Sequence, residues 1–235
     1  MAIYRTKDEA DFKTYGTHRE DHVTIPEEWG ENNGSDRVDD PSWMQRYEYE
    51  ASLIGGIISD NGYKKILEIG SGPGVLGQLV QKNHPTVEYH FIDKPNAEAQ
   101  FVRREHKGSF FVKDLMNEFD IAELHTDYDM VVTNDFLEHI ANPSDVLYKC
   151  REITKPDSTL FVSVPNWRMG HTFIYRGLFD YDNYLYFSMV HGWNPESVAG
   201  SPLKCAALPR QSSEDMLSDE LLNSWNWYFV SKKAE

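Results

Sequence analysis

Cysteine and long apolar segments are both scarce in this chain. Cys150 and Cys205 are the only cysteines among 235 residues, too few for a disulfide framework or for a zinc site with four cysteine ligands. The longest nearly apolar run, residues 51–58, is far shorter than the ~20 residues that cross a bilayer. Residues 1–13 are rich in charge and lack the apolar core of a signal peptide. We therefore expect no membrane association and a reducing, cytoplasmic location.

Positive charge is also in short supply. The chain has 23 Lys and Arg against 38 Asp and Glu, a formal net charge of −15. Proteins that bind nucleic-acid backbones or anionic lipid surfaces need exposed Lys and Arg, so both partner classes are disfavoured. Residues 1–50 hold 13 of the acidic residues and six of the basic ones. Much of the negative charge therefore belongs to residues 1–50. For the rest of the chain, net charge is a weaker argument against a nucleic-acid substrate.

Short apolar strands alternate with amphipathic helical stretches through the middle of the chain. Pro41 opens a predicted helix that ends near Asn61 and Gly62. Strands are predicted at 64–69, 87–92, 109–112, 129–133 and 159–164, with helices at 75–82, 97–104 and 144–153 and a turn at 155–158. Such alternation predicts an α/β fold with a parallel sheet and crossover helices.

The two ends of the chain differ from this middle part. We expect residues 1–40 to form an irregular acidic segment and residues 41–235 to form one domain. Within that domain an aromatic-rich insertion is predicted at 167–195. Two strands, at 203–208 and 225–230, are expected to close the edge of the sheet.

A glycine-rich loop, Glu68-Ile-Gly-Ser-Gly-Pro-Gly74, joins the first strand to the following helix. Glycines let the backbone approach a ligand, and the helix N-terminus offers free N–H groups. A dinucleotide-binding loop that begins at Gly70 would need a third glycine where Val75 stands, and one that begins at Gly72 starts late. Glu68 suits a cofactor with a cationic part, such as the methionyl end of S-adenosylmethionine.

Two further carboxylates follow the next two predicted strands. Asp93 lies 19 residues after Gly74, the position from which a carboxylate reaches ribose hydroxyls. Asp114 follows the third strand, with Leu115 beside it, and can accept a hydrogen bond from an adenine amino group. These positions favour a nucleoside-containing cofactor.

Together these motifs resemble those of class I S-adenosylmethionine-dependent methyltransferases. Residues 129–140 are similar to that family's fourth motif, and residues 162–166 to the end of its fifth strand, so the resemblance covers about residues 41–166. It implies a single Rossmann-like domain with a seven-stranded, mostly parallel sheet, an antiparallel last strand and helices on both faces. The cofactor implied is S-adenosylmethionine, and its implied contacts are Glu68, Gly70, Ser71, Gly72, Gly74, Asp93, Lys94, Asp114, Leu115, Asn134 and Asp135.

Candidate catalytic residues follow the later strands. His139 is the first candidate base and His191 the second, while Asn166 ends the fifth strand. The run Asp135-x-x-Glu138-His139 resembles the Glu-x-x-Glu-His of ubiquinone-pathway O-methyltransferases and of small-RNA 2′-O-methyltransferases, which hold a divalent metal with it. Asp is shorter than the family's first Glu, so we expect no metal site here.

The leading hypothesis is methyl transfer from S-adenosylmethionine to an oxygen or nitrogen atom of a small-molecule acceptor. Two alternatives stay open: a metal-dependent RNA 2′-O-methyltransferase and a nicotinamide-dependent oxidoreductase. No oligomeric state follows from these residues.

Overall fold

The computed structural model describes residues 41–72, 74–93, 110–112, 124, 126–139, 143–166, 181–200 and 226–234. The helices are α1 (Pro41–Asn61), α2 (Val75–Asn83), α3 (Pro143–Glu152) and α4 (Tyr181–Val190), with a short 3₁₀ turn at Leu137–His139. The strands are β1 (Lys65–Ile69), β2 (Glu88–Asp93), β3 (Phe110–Val112), β4 (Tyr128–Asn134), β5 (Thr154–Pro165), β6 (Trp193–Gly200) and β7 (Asn226–Lys233).

The strands form one mixed sheet in the order β3-β2-β1-β4-β5-β7-β6. β1 pairs in parallel with both β2 and β4, whereas β7 runs antiparallel to β5 and to β6. The chain builds outward from β1 to β3 and then returns to β4 on the other side of β1. The strand order therefore reverses between β1 and β4, the position where open α/β sheets place their ligands. The predicted α/β fold and the antiparallel orientation of the last strand are confirmed.

Helices cover both faces of this sheet, so the central strands have buried apolar side chains on both sides. One face packs against helices α1 and α2 and the other against α3 and α4, because neighbouring strand residues point to opposite faces. The first layer contains Tyr47, Ile54, Ile66, Val80, Met130 and Phe161, and the second contains Leu67, Val131, Leu147, Cys150, Leu160 and Tyr184. The helix layers hold the carboxyl ends of the strands in fixed relative positions.

Two strands differ from the sequence-based expectation. β5 begins at Thr154, so it includes residues 155–158, which were predicted to form a turn. Asp157 has a φ of +61° there, and the pairing with β4 shifts register between Tyr128 and Met130. The strand thus carries an irregularity where the turn was predicted. β6 at Trp193–Gly200 begins inside the predicted aromatic insertion, and its mixture of polar and apolar residues gives no regular strand pattern.

Other predictions lie outside the described residues. They are the irregular segment at 1–40, the helix at 97–104, the strand at 203–208 and residues 167–180 of the aromatic insertion. None of the helices that the structure describes is both long enough and apolar enough to cross a membrane.

We expect Gly77→Ala to destabilise the protein. A Cβ at Gly77 in α2 would lie 2.4 Å from Cε1 of Phe91 and 2.6 Å from Cε1 of Tyr89. Overpacking of this kind costs about 1–3 kcal/mol, which urea denaturation would measure. Gly56→Ala in α1 is the matched control, because its Cβ would meet nothing within 4 Å and alanine favours the helix by roughly 0.5–1 kcal/mol. Equal stability of the two variants would contradict this packing.

Candidate active site

The loop after β1 is fastened to the end of β2. The Gly70 amide donates to the Ile92 carbonyl at 2.9 Å, and the Gly72 amide donates to Oδ2 of Asp93 at 2.6 Å. β1 and β2 are parallel neighbours, so their carboxyl ends meet at the same edge of the sheet. The structure therefore brings the predicted loop glycines together with Asp93, the predicted ribose contact.

Glycine is required in this loop for two different reasons. Gly70, Gly72 and Gly74 have φ values of +73°, +51° and +72°, a left-handed conformation that side chains with a Cβ disfavour. A Cβ at Gly70 would also lie 2.2 Å from the Phe136 ring, whereas one at Gly72 would meet nothing within 4 Å. Gly70 thus lets Phe136, after β4, pack directly against the loop. Gly72 faces open space that a ligand can enter.

Glu68 on β1 is buried beneath this loop, with 1% of its surface exposed. Burial raises the pKa of Glu68 to about 8, and the nearby charges of Glu50 and Asp93 act in the same direction. Its Oε2 has no hydrogen-bond partner among the residues that the structure describes. Hydrogen bonds with the Tyr89 side chain and the Gly77 backbone offset the effect of burial on this pKa only in part. A buried carboxyl whose ionised form is disfavoured is costly for the fold, which is typical of a functional site.

A buried arginine joins α1 to the end of β4. Arg46 is 2% exposed, its Nη1 lies 2.5 Å from Oδ2 of Asp135, and its Nε lies 3.3 Å from Oε1 of Glu50. The guanidinium also lies over the Trp43 ring, 4.2 Å from its centre. Burial opposes the charge, but the two carboxylates keep the pKa of Arg46 above its ordinary value. This pair fixes α1 against the segment that follows β4.

Asp135 is held from three sides. Its Oδ1 accepts hydrogen bonds from Nδ2 of Asn226 at 2.6 Å and from Oγ of Ser163 at 3.3 Å, and its backbone amide donates to the Ser163 carbonyl at 3.1 Å. Asp135 has a φ of +47°, a conformation that costs a non-glycine residue of order 1–3 kcal/mol. The contacts with Arg46, Ser163 and Asn226 compensate for this strain.

Asn134, at the end of β4, links this network to Glu50. Its Nδ2 donates to Oε2 of Glu50 at 3.1 Å. Glu50 is fully buried, and burial raises its pKa to about 7, against the opposing effect of Arg46. The predicted cofactor residues Asn134 and Asp135 therefore lie at the reversal point of the sheet, in one network with α1.

Residues 135–139, the run that resembles a metal-binding motif, do not form a regular helical face. Leu137–His139 is a 3₁₀ turn, and Asp135 is paired with Arg46. Across the described ranges no group of three His, Cys, Asp or Glu side chains is arranged to hold a metal ion. Glu138 is buried, while the His139 side chain lies outside the description.

The two candidate bases lie at different edges of the sheet. His139 follows β4 at the carboxyl edge. His191 directly precedes β6, whose first residue Trp193 pairs with Lys233, and the neighbouring Lys232 pairs with Thr159 in the first half of β5. His191 thus lies toward the amino edge, and the structure does not bring it together with the glycine loop.

Three predicted contacts lie outside the described residues: Lys94, Asp114 and Leu115. Asn166 is buried directly after β5, at the carboxyl edge as predicted.

Sequence reasoning missed Arg46, Glu50 and Asn226. A signal for two of them was present: Arg46 and Glu50 are four residues apart on the predicted first helix, close to its apolar stripe through Tyr47 and Ile54. Charged residues at buried helix positions need partners, so this placement predicts a buried polar site.

Curated relatives similar to this chain are ubiquinone biosynthesis O-methyltransferases. The enzyme of Pseudomonas savastanoi pv. phaseolicola is 31% identical over 104 residues, which are 44% of this chain and 45% of the relative. The enzyme of Salmonella paratyphi A is 26% identical over 167 residues, 65% of this chain and 67% of the relative. The chain spans about half the length of the first of these relatives.

Solved structures share the fold at low sequence identity. The plantazolicin methyltransferase BpumL, solved with SAH, superposes with a TM-score of 0.63 at 13% identity, covering 96% of this chain and all of BpumL. A structure from the complex of the Haloferax volcanii Trm112 methyltransferase activator with its methyltransferase gives a TM-score of 0.65 at 13% identity, covering 88% and 97% of the two chains. These likenesses support the fold described above.

The sequence model of the methyltransferase domain family matches residues 43–230, which is most of the chain. That range contains the glycine loop, Asp93, the segment after β4, β6 and the first five residues of β7. The chain therefore belongs to the methyltransferase domain family, within the class I S-adenosylmethionine-dependent methyltransferases.

Proposed function

We propose that this protein transfers the methyl group of S-adenosylmethionine to an oxygen or nitrogen atom of a small-molecule acceptor. The observation that carries the proposal is the glycine loop fastened by Asp93 across the ends of β1 and β2, with the buried Glu68 beneath it. A loop of this kind at the reversal point of an α/β sheet is a ligand site. The family membership supports the identity of the ligand.

The residues at this edge fit such a cofactor. Buried polar atoms without a hydrogen-bond partner in the described part of the chain gather there, among them Oε2 of Glu68, Oγ of Ser71 and Oδ1 of Asn134. Buried polar groups are normally paired, so a ligand that completes them is favoured. The open space beside Gly72 gives that ligand a backbone surface to lie against.

We assign roles to the cofactor residues from these positions. Asp93 is proposed to accept the ribose hydroxyls, and Gly70, Gly72 and Gly74 to line the methionine end together with Glu68. Asn134 and Asp135 are proposed to close the site from β4. The roles of Lys94, Asp114 and Leu115 stay predictions from the sequence.

Bound S-adenosylmethionine supplies an electrophilic methyl group on a good leaving group. The chain's own residues then have to align the acceptor and exclude water. A base is needed only where the acceptor is a hydroxyl or a protonated amine. His139 is the proposed base, because its backbone follows β4 at the same edge as the glycine loop.

An oxygen acceptor has additional support. The curated relatives are named O-methyltransferases, although the aligned part is about half of the first of them. The net charge of −15 disfavours an RNA acceptor. The pairing of Asp135 with Arg46 disfavours a metal-dependent reaction through residues 135–139.

We expect Asp93→Ala to weaken S-adenosylmethionine binding at least tenfold in titration calorimetry. The substitution removes both the proposed ribose contact and the acceptor that holds the Gly72 amide. Asp60→Ala, an exposed position at the end of α1, is the control and should bind as the wild type does. Binding of NADH without binding of S-adenosylmethionine would contradict the proposed function.

We expect the ligand-free protein to lose stability as the pH rises from about 5 to 8. Glu50 and Glu68 ionise near their ordinary pKa of 4.5 when unfolded, but near 7 and 8 when folded. Between these values the unfolded state has released protons that the folded state still holds, so rising pH favours unfolding. One pKa unit corresponds to about 1.4 kcal/mol, so the fall should be on the order of 5 kcal/mol for the two groups together.

Urea denaturation at several pH values measures this slope. Glu50→Gln and Glu68→Gln should each flatten it, whereas Glu48→Gln, at an exposed position on α1, should leave it unchanged. A wild-type slope in both buried variants would be inconsistent with the raised pKa values.

A further inference from the structure

The carboxyl edge of the sheet contains more buried carboxylates than cations. Glu50, Glu68 and Asp135 meet there, and among the residues that the structure describes Arg46 is the cation that faces them. Nη1 of Arg46 is taken by Asp135 at 2.5 Å. Its Nε lies 3.3 Å from Oε1 of Glu50. Among the described residues, neither this Nε nor this Oε1 has a hydrogen-bond partner. Glu50 is therefore only partly compensated by its neighbour on α1.

The polar atoms left unsatisfied at this edge include three acceptor oxygens on neighbouring residues. They are Oε1 of Glu50, Oε2 of Glu68 and Oδ1 of Asn134, each without a hydrogen-bond partner in the described ranges. Asn134 donates to the other oxygen of Glu50 at 3.1 Å, so these two residues touch. Glu68 pairs with Val132 on the neighbouring parallel strand, so Glu68 and Asn134, two residues further along β4, lie on the same face of the sheet. Glu50 and Glu68 are both buried, and burial raises the pKa of each.

When Glu50 and Glu68 are ionised, these oxygens only accept, so they select a group that only donates and whose positive charge favours the ionised carboxylates. An ammonium carries three N–H donors, no acceptor and a positive charge. A sulfonium is positive but has no N–H, so it cannot complete these oxygens. The α-ammonium at the methionine end of S-adenosylmethionine has the matching chemistry.

We propose that Glu50, together with Asn134 and Glu68, binds the α-ammonium of the cofactor. This inference rests on the proposed function, and it adds to it a residue that lies on α1, outside the glycine loop. The helix before the sheet is then part of the cofactor site. Arg46 acts as a positioning residue, because its pairing with Asp135 holds α1 and the end of β4 at a fixed distance.

Cofactor analogues with and without the amino-acid part test this assignment. S-adenosylmethionine and S-adenosylhomocysteine both carry the ammonium, whereas 5′-methylthioadenosine lacks it and keeps the adenosine part. Titration calorimetry with the full chain should show that Glu50→Gln weakens the first two ligands at least tenfold and changes the third less than twofold. Glu48→Gln, exposed on the same helix, should change none of them.

The split between the ligands separates this role from a merely structural one. If Glu50→Gln weakens 5′-methylthioadenosine as strongly as the other two, Glu50 acts through the fold and the proposal is overturned. Unchanged binding of S-adenosylhomocysteine would overturn it as well. Should Glu50→Gln fail to fold by circular dichroism, Glu50→Asp, which keeps the charge, is measured with the same three ligands and judged by the same split.

The outcome for the wild type distinguishes the two levels of inference. If the wild type binds none of the three ligands, the proposed function itself fails. If it binds all three but the Glu50 variant shows no ammonium-dependent loss, the cofactor assignment stands and the role of Glu50 is rejected.

Discussion

The buried ion pair between Arg46 and Asp135 is the contact on which the site depends. It joins α1 to the segment after β4, and Asn226 and Ser163 extend it to β7 and β5. Removal of one partner from a buried pair leaves the other charge uncompensated, which typically costs 3–5 kcal/mol. Asp135 has a left-handed backbone conformation that is strained without these contacts. The pair therefore holds four elements together at the edge where the ligand site lies.

The same region keeps two buried ionisable side chains that a stability criterion alone would remove. Glu50 and Glu68 are buried with raised pKa values, and apolar or amide residues of similar size would fit with less cost. The protein retains them next to a loop whose glycines leave backbone atoms open to a ligand. Local rules of stability are commonly broken where a binding site requires it, and the location of these carboxylates agrees with that explanation.

Much of the fold could be predicted because its signals are local. Buried parallel strands give short β-branched runs, and Gly70, Gly72 and Gly74 mark the turn from β1 to α2, so the strands of the parallel sheet and the cofactor loop follow from the sequence. β6 could not be predicted, since its residues have mixed polarity and its pairing with β7 is visible only in three dimensions. The position of His191 at the amino edge of the sheet depends on that same pairing, so it could not be predicted either.

The polar network of the site was harder to predict for a related physical reason. Arg46, Asp135 and Asn226 lie 89 and 91 residues apart along the chain, so no local pattern connects them. The sequence does give a partial signal, the charged pair of Arg46 and Glu50 close to the apolar stripe of α1. Its partners depend on the packing of that helix against the sheet, which sequence spacing does not specify.

The surplus of buried carboxylate also bears on turnover under the proposed function. Methyl transfer converts a sulfonium into a neutral thioether, so the ligand loses one positive charge within a site that has more carboxylates than cations. In a poorly solvated region such a charge contributes more to binding than it would in water. The methyl donor and the product both carry the α-ammonium, so a contact with Glu50 binds both. Only the methyl donor carries the sulfonium charge, so that charge distinguishes the donor from the product. The arrangement therefore favours exchange of the product for fresh methyl donor.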